Sequence, residues 1–400
     1  MEKSDSKNLI LALVLIAIMY LFLYSAVEQG IFAPNVYDSY TLQAISWWKG
    51  QAHLDRDYSW LELAYYKDRI YVSFPPFPSV PMFLLVPFFG EEVPSNLLVT
   101  IYTILSFYIA YLFCRRRRSL SDLASLFWAA FAVFGGNLLS ISIFGGVWWH
   151  AQALSFLLCI LSLYLITSDK PLHWYFAFAC WAMSIGCRPF QIVYFPLYMY
   201  ILYRNLQRQG KHYAHSLKYL IAPAFIGCLY AAYNYIRFDN IFEFGHNYLP
   251  EFVEAEYGQF NVRYILQNLP NLFRLPYFRD NRLTFPKFNG FAFYIANPIF
   301  IVYYIRLVKS LFNKNASAAK KVSLVMILAC SLVHIVLLLA HKTLGGWQFG
   351  IRYFIDLIPF LFYSISLSDL KVNRYEIALF GFGLALNIYG TLWLNLGWTY

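Results

Sequence analysis

The sequence is short of charge. Asp, Glu, Lys and Arg make up 13% of its 400 residues, while 60% are hydrophobic. A soluble domain cannot bury that much apolar surface, which excludes a water-soluble globular protein and points to a polytopic membrane protein. Several apolar runs approach or exceed the roughly 20 residues that span a bilayer. No Cys-x-x-Cys pair is present; the six cysteines (Cys114, Cys159, Cys180, Cys187, Cys228 and Cys330) lie in or at the ends of apolar runs. That excludes a disulfide framework and reads as small buried hydrophobes. There is no Gly/Ser linker, internal repeat or Walker-type phosphate loop, so a single transmembrane domain over residues 1–400 is expected. The net charge of +10 does not signal a nucleic-acid partner, because the basic residues sit in short clusters between apolar runs.

The sequence is rich in aromatics, at 21%, more than interfacial belts of Trp and Tyr account for alone. About eleven transmembrane helices are predicted: Asn8–Val27, Ser95–Cys114, Leu123–Phe144, Ala151–Ser168, Leu172–Cys187, a sixth from the Arg188-Pro189 break to Tyr203, Leu217–Ile236, Gly290–Val308, Val322–Ala340, Ile351–Leu367 and Ile377–Leu396. Lys3 and Lys7 precede the first, which reads as an uncleaved helix because no small-x-small cleavage site follows it. With eleven alternating helices the clusters Arg115–Arg118, Arg204–Lys218, Arg306–Lys321 and Lys371–Arg374 share one side, the cytoplasm by the positive-inside rule, along with the N-terminus. Two long segments, 28–94 and 237–289, then lie on the outer face. The first contains the amphipathic run Ser39–Trp48 and a short apolar segment, Val80–Phe89; the second reads as an ordered cap.

Span interiors carry almost no charge, which argues against an ion relay at mid-membrane and places the chemistry at the outer interface. Asp38, between Tyr37 and Tyr40, is the candidate general base: a partly desolvated carboxylate has its pKa raised toward the range useful for taking a hydroxyl proton. The competing reading of Asp38 is an N-cap for Ser39–Trp48. Arg188, at a proline break, and Arg352, after the glycine-rich Gly345-Gly346-Trp347-Gln348-Phe349-Gly350, are candidates to hold a phosphate, with Lys342 beside them. Arg352 is expected in the first turn of a helix, where free amides also favour anions. Tyr40, His53, Asp57, His150 and Trp347 are candidate substrate contacts. Trp148-Trp149-His150 reads either as an interfacial belt or as a sugar platform. Asp55-Arg56-Asp57 has the spacing of an Asp-x-Asp metal motif but not its surroundings; no metal site is assigned and no cofactor is expected, with a divalent-metal requirement left open.

Four stretches together resemble the GT-C superfamily of integral-membrane glycosyltransferases, which includes protein O-mannosyltransferases and aminoarabinose transferases. They are Asp38-Ser39-Tyr40 with Ala44 and Gly50; Lys67-Asp68-Arg69-Ile70-Tyr71-Val72 leading to Pro75-Pro76-Phe77-Pro78; Gly186-Cys187-Arg188-Pro189; and Gly346–Tyr353 with Asp356 and Pro359. The second acidic residue that some members carry in the first loop is replaced here by Ser39. The resemblance implies an all-α GT-C-like bundle whose first outer loop carries juxtamembrane helices. It implies a polyprenyl-phosphate sugar as donor and inverting transfer to a glycan, lipid or protein acceptor on the outer face of a plasma membrane. Two other readings stay open: a flippase for lipid-linked glycans, and a polysaccharide polymerase or ligase.

Overall fold

A computed structural model describes residues 3–279 and 281–396. The chain is mostly helical, and among the described residues six helices are long and apolar enough to cross a membrane: Lys7–Ala26, Ser95–Arg117, Val147–Ile166, Tyr213–Phe238, Ala318–Ala340 and Arg374–Asn395. The protein is an integral membrane protein. The other predicted spans are shorter or broken. Pro171–Ile185 ends at Gly186, and Arg188 is extended before Pro189 opens a 3-10 turn through Tyr194; the helix resumes over Phe195–Arg208. Proline supplies the break, having no N–H to donate and forcing its predecessor out of the helical region.

The predicted span Leu123–Phe144 is corrected. The helix covers Asp122–Phe134 and stops at Gly135-Gly136, leaving only one further turn, Leu138–Ile141. Tertiary packing sets the break: a Cβ on Gly136 would sit 2.3 Å from Asn297 Oδ1, and the Asn137 N–H donates to that oxygen at 3.0 Å. Similarly, Gly290–Val308 resolves into a short turn, Phe293–Ala296, and the helix Ile299–Phe312.

Val147–Ile166 lies at the centre, packed against Pro171–Ile185 on one side and Ser95–Leu112 on another. Some buried hydroxyls in these helices bond their own backbone, as Ser106 Oγ does to Tyr102 O at 2.7 Å and Thr103 Oγ1 to Val99 O at 2.9 Å; others tie neighbouring segments together, as Thr100 Oγ1 does to Ser142 O at 2.8 Å and Ser162 Oγ to Ala177 O at 2.6 Å.

The first outer segment contains the expected helices, Ser39–Trp48 and Ser79–Phe89. Between them is an unexpected antiparallel hairpin, Leu63–Tyr66 with Arg69–Val72. Its two turn residues, Lys67 and Asp68, both have positive φ, 47° and 59°, the backbone of a tight two-residue hairpin turn. The segment is tied down by backbone bonds: Val147 N–H to Tyr37 O at 3.0 Å and Phe77 N–H to Gly186 O at 3.0 Å. The second outer segment is ordered, with short helical turns and a second hairpin, Tyr277–Arg279 with Arg282–Thr284. It zips onto the 341–350 loop: Lys342 N–H donates to Gln259 O at 2.9 Å, Asn289 N–H to Gly346 O at 3.1 Å and Gln348 N–H to Lys287 O at 3.1 Å.

That seam depends on Gly290. Its φ is +69°, and a Cβ there would lie 2.1 Å from the Gly350 carbonyl oxygen. Gly290→Ala therefore combines a left-handed backbone with a clash against main chain that cannot swing away. We expect a loss of about 2–4 kcal/mol, read as a lowered melting temperature in detergent. An unchanged melting temperature would mean that the two loops separate freely.

Candidate active site

Where the two outer segments meet the helix breaks, they enclose a cavity of about 940 Å³. Its walls come from five places in the chain. Tyr37, Tyr40 and Glu62 belong to the first outer segment, and Val147 and Trp148 to the start of the central helix. Arg188 comes from the proline break, and His246 and Glu251 from the second outer segment. Trp347, Arg352, Tyr353 and Asp356 come from the glycine-rich loop and the turn after it.

The structure brings Arg188, Arg352, Lys342, Tyr40 and Trp347 to this one cavity. The two arginines lie against the same aromatic ring, their guanidinium carbons 4.7 Å (Arg188) and 4.8 Å (Arg352) from the Tyr353 centroid. Their electrostatic situations differ. Arg188 Nε donates to Asp356 Oδ2 at 2.8 Å, and that carboxylate more than offsets the effect of burial, so the arginine is held firmly charged. Asp356 is itself held by Gln152, whose amide donates to Asp356 Oδ1 at 2.9 Å and to Arg352 O at 2.8 Å. Arg352 has no carboxylate of its own. It is 5% exposed, its Nε reaches Gly345 O at 3.4 Å, and its Nη1 is buried with no hydrogen-bond partner. Burial pulls its pKa downward. A buried guanidinium with an unmet donor is costly unless an anion meets it.

One expectation about Arg352 is corrected. It opens a 3-10 turn, Arg352–Leu357, ahead of the helix Ile358–Ser366, and its own N–H is taken by Gln348 Oε1 at 2.8 Å. The anion-binding capacity therefore resides in the guanidinium, not in free helix amides. Two cavity histidines contribute no charge: burial lowers His246 to about 3 and His341 to about 4, so both are neutral at physiological pH. Lys342 is at the rim, its Nζ donating to the Glu251 carbonyl.

Asp38 is not on the cavity surface. It is 7% exposed and caps Ser39–Trp48, with Thr41 N–H donating to Oδ1 at 3.2 Å and Thr41 Oγ1 to Oδ2 at 2.6 Å. Burial raises its pKa to about 6 in spite of these bonds. Its chain neighbours Tyr37 and Tyr40 do reach the cavity. His150 is one layer further back, its ring 5.8 Å from Tyr40 and 5.4 Å from Tyr102. His53 and Asp57 line no part of the cavity; His53 packs 6.4 Å from the Tyr71 ring, and Asp57 is bonded by the Tyr65 hydroxyl. Asp55 pairs with Lys49, and among the described residues no group of three His, Cys, Asp or Glu is placed to hold a metal. Four carboxylates line the cavity: Asp356, paired with Arg188; Glu243, which accepts from the Gly245 N–H and the Asn247 amide; and Glu62 and Glu251, whose pKa burial raises. Glu62 is exposed to the cavity, and its Oε2 accepts from the Trp148 indole at 2.9 Å. In the sequence Glu62 reads only as part of an acidic patch with His53, Asp55 and Asp57, a weak metal candidate; the hairpin that follows it is what turns it to the cavity.

A second hollow, of about 930 Å³, is almost wholly apolar. Ile185, Ile192, Pro223, Tyr230, Met326 and Val333 are among its walls, and Ile185 and Ile192 flank the Arg188-Pro189 break.

The chain has a GT-C-like fold. It superposes on ArnT from Cupriavidus metallidurans in the apo state with a TM-score of 0.56 at 10% identity, covering 94% of this chain and 62% of that one. The same protein bound to undecaprenyl phosphate gives 0.52 at 13% identity, covering 95% of this chain and 63% of that one. The chain thus spans less than two thirds of the length of ArnT, and at these identities the likeness concerns the fold. No protein-family model matches the sequence, and no curated protein matches it.

Proposed function

We propose that the protein is a membrane glycosyltransferase that moves a sugar from a polyprenyl-phosphate donor to a hydroxyl of a glycan, lipid or protein acceptor on the outer face of the membrane. The observation that carries this reading is Arg352, a buried guanidinium with an unmet donor beside the paired Arg188. A monoanionic or dianionic phosphate would satisfy it. The apolar hollow beside the break suits an isoprenoid tail, so headgroup and tail have adjoining sites of opposite character. ArnT, of similar fold, has been seen with undecaprenyl phosphate.

In this reading the acceptor oxygen attacks the anomeric carbon from the side opposite the phosphate, inverting it. The carbon–oxygen bond to phosphate breaks, and the lipid phosphate leaves with its charge held by Arg352 and Arg188. The acceptor's proton goes to a carboxylate. Asp38 has a pKa suited to this, but must exchange the Thr41 bonds for the substrate. A second reading gives the proton to Glu62, because Glu62 already faces the cavity.

The test is sugar transfer in proteoliposomes, with the purified chain, a set of polyprenyl-phosphate sugars and a crude acceptor pool. Transfer by the wild type that is lost on Asp38→Asn or on Glu62→Gln supports the enzyme and selects the base. Absence of transfer from every monophosphate donor, with labelled lipid moving between leaflets, would replace the enzyme by a flippase.

A further inference from the structure

One wall of the cavity is aromatic and acidic. There the first outer segment and the start of the central helix present Tyr37, Glu62 and Trp148, with Glu62 within electrostatic reach of Arg352. The Trp148 ring is 5.5 Å from the Tyr37 ring, tilted by 44°, and 5.7 Å from Trp149. Trp148 is fixed in orientation, because its indole N–H donates to Glu62 Oε2 at 2.9 Å. Glu62 is fixed in turn: its carbonyl accepts from Ser73 Oγ at 2.8 Å, at the two ends of the hairpin. The Val147 N–H bond to Tyr37 O at 3.0 Å joins the tyrosine and tryptophan backbones. One oxygen of Glu62 is therefore committed to the tryptophan, and among the described residues no bond occupies the other. Glu251 shares the cavity and is close enough to Glu62 to oppose its ionisation.

We propose that this wall is the acceptor subsite and that it binds an uncharged or cationic saccharide. This rests on the transferase reading above and narrows it. Sugar rings offer a face of C–H groups that packs on aromatic rings, and a rim of hydroxyls that donate to carboxylates. A rigid aromatic pair beside a half-free carboxylate meets both demands. The other acceptor chemistries fit less well. A phosphorylated acceptor would bring its anion toward Glu62 and Glu251. An acyl chain gains nothing from a carboxylate. A peptide serine needs neither an aromatic platform nor a second carboxylate.

The subsite can be tested without knowing the full reaction. Methyl glycosides of glucose, mannose, galactose and N-acetylglucosamine are titrated into the detergent-purified full chain and followed by intrinsic tryptophan fluorescence and saturation-transfer NMR. Undecaprenyl phosphate is titrated in parallel. We expect saturable binding of at least one glycoside, weakened about tenfold or more in both Trp148→Leu and Glu62→Gln, as expected for losing a stacking face or a charged acceptor. Tyr37→Ala serves as a third variant should Trp148→Leu fail to fold. Arg352→Ala keeps glycoside binding and loses the lipid phosphate. No glycoside binding at any accessible concentration, or binding indifferent to both Glu62 and Trp148, would overturn the subsite. Binding of a serine- and threonine-containing peptide in place of the glycosides would overturn it as well. Failure of undecaprenyl phosphate to bind the wild type would count against the donor reading instead, whatever the glycosides do.

Discussion

Replacing Arg352 by alanine should abolish donor binding without harming the fold. Two charge-assisted hydrogen bonds to a phosphate contribute about 3 kcal/mol or more, so the affinity for undecaprenyl phosphate should fall about 100-fold or further. Arg352→Lys keeps the charge but not the planar fork, and should lose about tenfold. The stability result separates this residue from its neighbour. Arg352 Nη1 has no hydrogen-bond partner among the described residues, so removing the guanidinium removes an unmet cost, and the melting temperature should hold or rise. Arg188 behaves in the opposite way. Its removal strands Asp356, whose side chain is 2% exposed, and breaking a buried pair costs about 3–5 kcal/mol. Arg188→Ala should therefore unfold at a lower temperature, and Arg188→Ala/Asp356→Ala should recover part of the loss. Titration of undecaprenyl phosphate followed by tryptophan fluorescence, with thermal melts of each variant, checks both halves. Unaltered lipid affinity in Arg352→Ala would remove the central support for a phosphate donor.

The contrast between the two arginines also shows what sequence can disclose. The break that exposes Arg188 was legible, because proline acts through local sterics that need no tertiary context. The glycine-rich approach to Arg352 was legible for the same reason. Their convergence on one ring, Tyr353, was not, since it depends on two distant breaks packing together. The hairpin that positions Glu62 was hidden because its turn is Lys67-Asp68, without the glycine or asparagine that usually marks positive φ. Gly135-Gly136 stood inside a continuous apolar run and was read through; the approach of Asn297, not local propensity, ends that helix. His53 and Asp57 were chosen for residue type alone. The fold turns Asp57 toward Tyr65 and sets His53 against Tyr71, outside the cavity. Thus local signals located the helix breaks, while the side of each outer loop that faces the cavity was decided by packing.

Asp38→Asn should leave a folded protein with a catalytic rate lowered about 100- to 10,000-fold, the usual contribution of a positioned base. Asparagine caps a helix about as well as aspartate, so Ser39–Trp48 keeps its N-terminus and the variant isolates the proton-accepting role from the structural one. The pH dependence follows from burial. Asp38 is raised from 3.8 to about 6, so the wild-type rate should climb with pH through a midpoint near 6 as the carboxylate ionises. Stability should move the other way. Between those two values the folded state binds the proton more tightly than the unfolded chain does, so stability present below about 4 is lost as pH rises through about 6. The loss is on the order of 3 kcal/mol, at 1.36 kcal/mol for each unit of pKa. Asp38→Asn has no such proton to lose, and its melting temperature should lack this downward limb. Thermal melts of both proteins at pH 4.5 and 7, beside transfer rates across the same range, separate the possibilities. A rate that collapses in Asp38→Asn while Glu62→Gln remains active identifies Asp38 as the base, acting after it releases Thr41. A stability limb without any loss of rate returns Asp38 to helix capping and passes the proton to Glu62, a carboxylate already facing the cavity.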